Sequence, residues 1–291
     1  MIERGALLQK LSQLGPGVRR GGEKLWAALQ TRAGASVAGL TLALVAFIAF
    51  DYATMPPPLP GYAQVRAAWH PSEAWLYDRN GVLIDSARVD FKARRLAWTP
   101  LDHLAPVART TIVGVEDRRF FSHGGVDWLA LAGVARDKAK GERARGASTL
   151  SMQVAGFLAP DLAAPGQRHF WDKIRQMRAA WALESRWSKD QILEAYLNLA
   201  GFRGEAQGIG AAALGLFGKT PDALARDDAL LLAALLPDPQ ADPGTVARRA
   251  CAVSHEQNCG RFAGEAASML GPARSLALDP GLAPHLSDRL L

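Results

Sequence analysis

The run Glu116-Asp117-Arg118-Arg119-Phe120-Phe121-Ser122-His123-Gly124-Gly125-Val126-Asp127 gathers carboxylates, guanidinium groups and an imidazole in a chain that is 49% hydrophobic. Thr110 to Val115 lead into it and Phe120 and Phe121 follow, so Glu116 is expected beside apolar walls. Desolvation there raises a carboxyl pKa towards general acid or base work. Acids beside two Arg equally describe a solvated ion-pair network, and this run alone leaves both readings open. Other chemistries are excluded more firmly. The six His form no H-E-x-x-H and the two Cys no C-x-x-C, so zincin and structural zinc patterns are absent. No S-x-x-K occurs, and Lys219-Thr220 is followed by Pro221 rather than Gly, so a penicillin-binding serine module is absent too.

The elements that must position these residues are mostly helical. A hairpin is expected over Ala74–Val89, turning at Asp78-Arg79-Asn80-Gly81. Apolar periodicity then predicts helices at His103–Val115, Val126–Lys140, Ser148–Leu158, Phe170–Trp187, Lys189–Leu199, Ile209–Phe217 and Asp227–Leu236. Ser188 and Gln191 form a capping box, and Pro237, Pro239 and Pro243 are read as ending the last helix. The segment after Cys251 is rich in Gly and Ala and receives no role. Its two cysteines, Cys251 and Cys259, would lie in an oxidising compartment, where sequence alone leaves them paired or free.

The 291 residues suffice for one large core with appendages, and the net charge of +6 is unevenly placed. Ala33–Phe50 carries no charge and as a helix would span about 27 Å, close to a hydrocarbon core. Before it, Arg4, Lys10, Arg19, Arg20, Lys24 and Arg32 outnumber Glu3 and Glu23, which places the N-terminus in the cytoplasm and the rest outside. A cleavable signal peptide is the rival reading. Its basic region would be unusually long, and no A-x-A-like site follows. The expected layout is a basic tail 1–32, an anchor 33–50, a Pro-rich spacer 51–73, an exported domain 74–250 and a tail 251–291. The basic balance thus describes membrane topology and gives no reason to expect nucleic acid.

The first run resembles E-D-x-x-F-x-x-H-x-G-x-D, the opening motif of the peptidoglycan glycosyltransferases, the glycan-polymerising module of class A penicillin-binding proteins and their monofunctional relatives. Gly146-Ala147-Ser148-Thr149-Leu150-Ser151-Met152-Gln153 resembles the family's second motif, and Lys173 with Leu183-Glu184 its third. Lys189 to Asn198, with Ile192-Leu193-Glu194 and Tyr196-Leu197, resembles the fourth; Gly208-Ile209 to Phe217-Gly218-Lys219 resembles the fifth. The details look most like the penicillin-binding protein 1C branch reduced to its glycosyltransferase module.

That resemblance implies a mainly α, lysozyme-like fold of head and jaw lobes behind an N-terminal transmembrane helix, in the bacterial inner membrane with the catalytic domain periplasmic. It implies lipid II and nascent glycan as substrates, with cell-wall synthesis or division proteins as further partners. It makes Glu116 the catalytic base and Gln176 the secondary catalytic position. Asp117, Ser148, Thr149, Gln153, Arg168 and Lys173 become substrate-binding residues. Asp117 is also read, with His123, as orienting and packing the loop, His123 being structural, and Glu194 and Asn198 are read as braces. No cofactor is required, with Mg²⁺ admitted at the diphosphate and no metal ligands among the side chains. Four departures stand against this: Gln176 for an acid, Asp172 for an Arg, Gly156 for a Lys or Arg, and a long link from Ala159 to Gln167 before Arg168. Basic residues from Arg136 to Arg145 are read either as compensating charge or as a loop near anionic headgroups. The competing expectations are therefore a polymerase, a degenerate lipid II-binding scaffold, and a lysozyme-like hydrolase.

Overall fold

The structure, a computed structural model, describes Ala27 and residues 31–141, 146–162, 170–254 and 259–271. The expected charged residues Arg143, Arg145 and Arg168 lie outside the described residues, as does nearly all of the basic tail. The chain divides into two compact units, Met1–Met55 and Pro56–Leu291.

In the first unit, helix α1 (Arg32–Ala53) is apolar on every face, and Leu40, Leu42, Phe47 and Ile48 are all exposed. Its segment Ala35–Ala53 is long and apolar enough to cross a membrane. Thr41 and Thr54 donate their hydroxyls to the carbonyls of Val37 and Phe50, so neither needs water as a partner. The helix runs past the expected end at residue 50.

The second unit opens with α2 (Tyr62–Ala67), inside the stretch read as spacer, followed by the antiparallel hairpin β1 (Glu73–Tyr77) and β2 (Leu83–Arg88). The turn forms as expected: the Asp78 carboxylate accepts from the amides of Asn80 and Val82, each at 2.8 Å. A short parallel pair, β3 (Arg94–Arg95) and β4 (Ala206–Gln207), ties this region to the helices.

The helical body follows as α3 (Pro106–Glu116), α4 (Trp128–Ala139), α5 (Leu150–Leu158), α6 (Phe170–Glu184), α7 (Lys189–Leu199), α8 (Ile209–Ala212) with a wider turn to Phe217, and α9 (Arg226–Leu235). Helix α9 is buried from Asp228 to Leu235 and packs against α3, so it is the axis of the core. The capping box holds α7 as expected: Ser188 Oγ accepts from Gln191 N at 3.2 Å, and Gln191 Oε1 from Ser188 N at 3.0 Å. Glu194 and Asn198 do brace the fold. Glu194 accepts from Tyr62, from Trp98 Nε1 at 2.6 Å and from Leu101 N at 3.0 Å, while Asn198 pairs with both backbone groups of Thr99.

Two helices were not expected, α10 (Pro243–Ser254) and α11 (Gly260–Met269). Pro243 begins α10 rather than ending α9, because the first helical turn has no use for the missing N–H. The Asp242 carboxylate caps that turn, accepting from Thr245 N at 3.0 Å. Val246, Ala250, Phe262, Ala266 and Met269 join the main core. The core therefore continues past residue 250, and residues 251–254 and 260–269 of the expected tail are helix packed on it. Cys251 and Cys259 are joined in a disulfide with Cα atoms 5.5 Å apart, clasping α10 to α11. Closing so short a loop stabilises by about 2.5 kcal/mol in the chain-entropy account. A Cys251→Ser, Cys259→Ser variant should therefore show a lower denaturation midpoint for the detergent-solubilised full-length protein. An unchanged midpoint would remove the clasp from the stability of the fold.

Candidate active site

Glu116 is the last residue of α3, and Asp117 ends the helix with φ −152°, turning the chain away. The Asp117 side chain faces inward. Both its oxygens lie 3.0 Å from His123 Nε2, and one accepts from Leu150 N at 3.0 Å, the amide that opens α5. Thr149 also points inward: its hydroxyl donates to Gly125 O at 2.6 Å and accepts from Met152 N. Gly125 has φ +86°, and a Cβ there would stand 2.9 Å from the backbone of Ala180, so only glycine lets this loop press onto α6. Arg119 clamps Asp127, which in turn caps α4. Lys189 donates to His123 O at 2.6 Å and lies over the Phe120 ring. Asp117 and Thr149 both line the smaller cavity, and their side-chain oxygens are bonded within the loop and to α5.

Glu116 itself stays at the cleft. It lines two adjoining cavities of about 310 and 670 Å³, and Arg118 and Ser148 line both with it. Gln153 Nε2 donates to Glu116 Oε2 at 3.1 Å. Burial lifts the Glu116 carboxyl above its ordinary range; Gln153 and the Tyr196 phenol pull it partly back, and Asp117 adds to the rise. A second constellation lies alongside. Lys173 Nζ donates to Ser148 Oγ at 2.8 Å and to Gln176 Oε1 at 3.0 Å, while Gln176 Nε2 donates to Met152 O at 2.9 Å. Gln176 is therefore fixed at both ends and titrates at neither.

The structure thus brings Glu116 to Gln153, and Ser148 to Lys173 and Gln176. Asp117, His123 and Asp127 are close enough to suggest a metal cluster. Their donor atoms, however, already serve Leu150 N, Ala130 N and the Arg119 guanidinium, a set that fits a self-contained ion-pair knot.

Three participants escaped the sequence reading. Arg118 lay within the first motif but had no signal beyond adjacency. Arg249 reaches the larger cavity from α10, a helix that was not foreseen. Tyr196 stood in a motif without a role. It is 1% exposed, stacks on Phe157 with ring centroids 6.0 Å apart, and its hydroxyl makes no bond of full hydrogen-bond geometry. Burial, and then the Glu116 charge, hold that phenol well above its usual pKa, so it is neutral and can only donate towards the carboxylate.

A half-buried carboxyl lining two cavities, flanked by a Lys–Ser–Gln cluster, can take up or give a proton beside a positive charge. The transglycosylase family model matches residues 81–258. A biosynthetic peptidoglycan transglycosylase of Rhodospirillum centenum (strain ATCC 51521 / SW) is 35% identical over 252 residues, covering 84% of this chain and 97% of its own. One of Rhizobium meliloti (strain 1021) is 37% identical over 171 residues, covering 57% of this chain and 70% of its own. One of Pasteurella multocida (strain Pm70) is 36% identical over 148 residues, or 49% and 56% of the two chains. The chain belongs to the transglycosylase family. None of these three relatives carries a penicillin-binding protein's name, and the affinity to the 1C branch remains an expectation of the sequence.

Two outcomes follow from the Glu116 environment. A carboxyl whose folded pKa exceeds its unfolded one costs stability once pH rises above the unfolded value, and the full cost stands above the folded value. Glu116→Gln should therefore raise the melting temperature at pH 7 and lose that advantage near pH 4. An equal effect at both pH values would dismiss the buried charge as its source. Tyr196→Phe removes a group that lowers the Glu116 pKa, so the acid limb of kcat/KM should move to higher pH; an unmoved limb would deny the contact.

Proposed function

We propose that this chain is a peptidoglycan glycosyltransferase that polymerises lipid II into β-1,4 glycan and releases undecaprenyl diphosphate. The observation that carries the proposal is the position of Glu116, half-buried and lining two cavities inside the segment that matches the family. One cavity takes the growing chain and the other takes the acceptor.

Glu116, as carboxylate, accepts the proton of the acceptor 4-hydroxyl. The freed oxygen attacks the anomeric carbon, the new C–O bond forms as the bond to diphosphate breaks, and the α-linked donor becomes β. The leaving diphosphate is already a stable anion and needs positive charge rather than a proton. Lys173 and Ser148 supply that charge and a hydroxyl, and Gln153 orients the base. Gln176 holds Lys173 in place, which is work that an amide does as well as an acid. Arg168 is retained as a diphosphate ligand on the strength of the resemblance. Asp117 and Thr149 act by shaping the loop rather than by touching sugar. No cofactor is needed in this scheme, and Mg²⁺ would serve only at the diphosphate.

The apolar helix α1 and the Cys251–Cys259 disulfide support a membrane anchor with the second unit on the oxidising side. Cell-wall synthesis or division proteins are the partners this location offers. Gly156, Asp172 and Gln176 favour a second reading, in which the site binds lipid II without turning it over.

One assay separates the two. Detergent-solubilised full-length protein with labelled lipid II, with and without Mg²⁺, should make long glycan, and Glu116→Gln should lower the rate by at least about a thousandfold, the scale of a lost general base with its electrostatics. Lipid II bound by the wild type without any product would establish the scaffold instead.

A further inference from the structure

The residues that α5 and α6 contribute to the lining of the larger cavity, Gln153, Gly156, Phe157 and Gln176, carry no charge of their own, and Lys173 stands behind Ser148 and Gln176. Gly156 stands where the resemblance would place a cation, and Gln153 and Gln176 are amides. Facing the same space from α10 is Arg249. Its side chain makes one long hydrogen bond, from Nη1 to Ala234 O at 3.5 Å, and meets no carboxylate among the described residues. Its neighbours differ. Arg248 is tied to Thr245 at 2.7 Å, and Arg261 pairs with Asp227 at 2.8 Å. Arg249 is also half-buried, where an uncompensated charge is costly unless an anion arrives to meet it.

We propose that Arg249 is a substrate-binding cation of this cleft, supplying from α10 the positive charge that Gly156 lacks on α5, and that its ligand is the diphosphate of a lipid-linked sugar. This rests on the glycosyltransferase reading above and adds a residue to it. The planar guanidinium fork matches two phosphate oxygens at once, whereas a lysine at the same place offers a point charge. Arg249 is seated by Val246 and Ala250, which bury the inner face of α10, and by the disulfide at Cys251 two residues on. Arg118, on the rim of both cavities, adds charge near Glu116 but sits on an exposed residue. The stem peptide of lipid II also carries carboxylates, and these are the alternative anion.

The test uses full-length protein in detergent, in a Glu116→Gln background, so that binding is read without turnover. Arg249→Ala should weaken lipid II binding about tenfold or more, the loss expected for a charge-assisted bidentate contact. Arg249→Lys should recover only part of it. Adding Gly156→Lys to Arg249→Ala should restore affinity, an outcome that a merely structural role for Arg249 would not produce. A lipid-linked disaccharide stripped of its peptide should show the same loss; full insensitivity of that ligand to Arg249→Ala would move the contact to the peptide and overturn the diphosphate assignment. If lipid II binds the parent protein and Arg249→Ala equally well, the proposal fails while the glycosyltransferase reading stands. If the parent does not bind lipid II, both fail.

Discussion

The Asp117 carboxylate is the point on which the site is hung. It ends α3, holds His123 and accepts the first amide of α5, so one buried group fixes two helix ends and the loop between them. A carboxyl at this depth is tolerable because its oxygens are taken up by hydrogen-bond partners. With that knot in place, Glu116 is one residue too early to share it and is left facing the cleft. The functional contrast between adjacent acids comes from this geometry: one is spent on donors, the other is desolvated and short of them.

The same logic explains the second motif. Thr149 caps α5 while bonding to Gly125, Asp127 caps α4 while holding Arg119, and Lys189 bridges from α7 to the His123 carbonyl. Residues that read as a list of polar side chains are mostly the joinery of one loop. Glu116, Ser148 and Gln153 line the larger cavity, and Lys173 is bonded to Ser148 beside it.

Much of this was legible in advance where the signal was local. The hairpin turn, the Ser188–Gln191 box and α7 are set by residues within a few positions of one another, and their boundaries follow. Glu116, Ser148, Gln153 and Lys173 are assigned to a common site by their resemblance to the family's motifs, not by their spacing. Other features depend on distant partners. Helices α10 and α11 do carry an apolar face, Val246, Ala247, Ala250, Phe262, Ala266 and Met269, but it is built largely from Ala and gains its meaning only once it lies on α9. Pro243 has opposite meanings at the two ends of a helix, and only the Asp242 cap decides between them. Arg249 was invisible for the same reason, since its relevance exists only once α10 lies beside the cleft. Asp117 and Thr149 were placed in the right neighbourhood, but whether a side chain points in or out is settled by partners some thirty residues away.

The disulfide has a bearing on when the cleft becomes complete. Where thiols stay reduced, the α10–α11 hairpin is held by its apolar contacts and by polar ties such as Arg261 to Asp227; the covalent clasp forms where thiols are oxidised. One wall of the cavity is therefore held more or less firmly according to the redox state around the chain. The same sequence presents a looser surface where thiols stay reduced and a tighter one where they are oxidised.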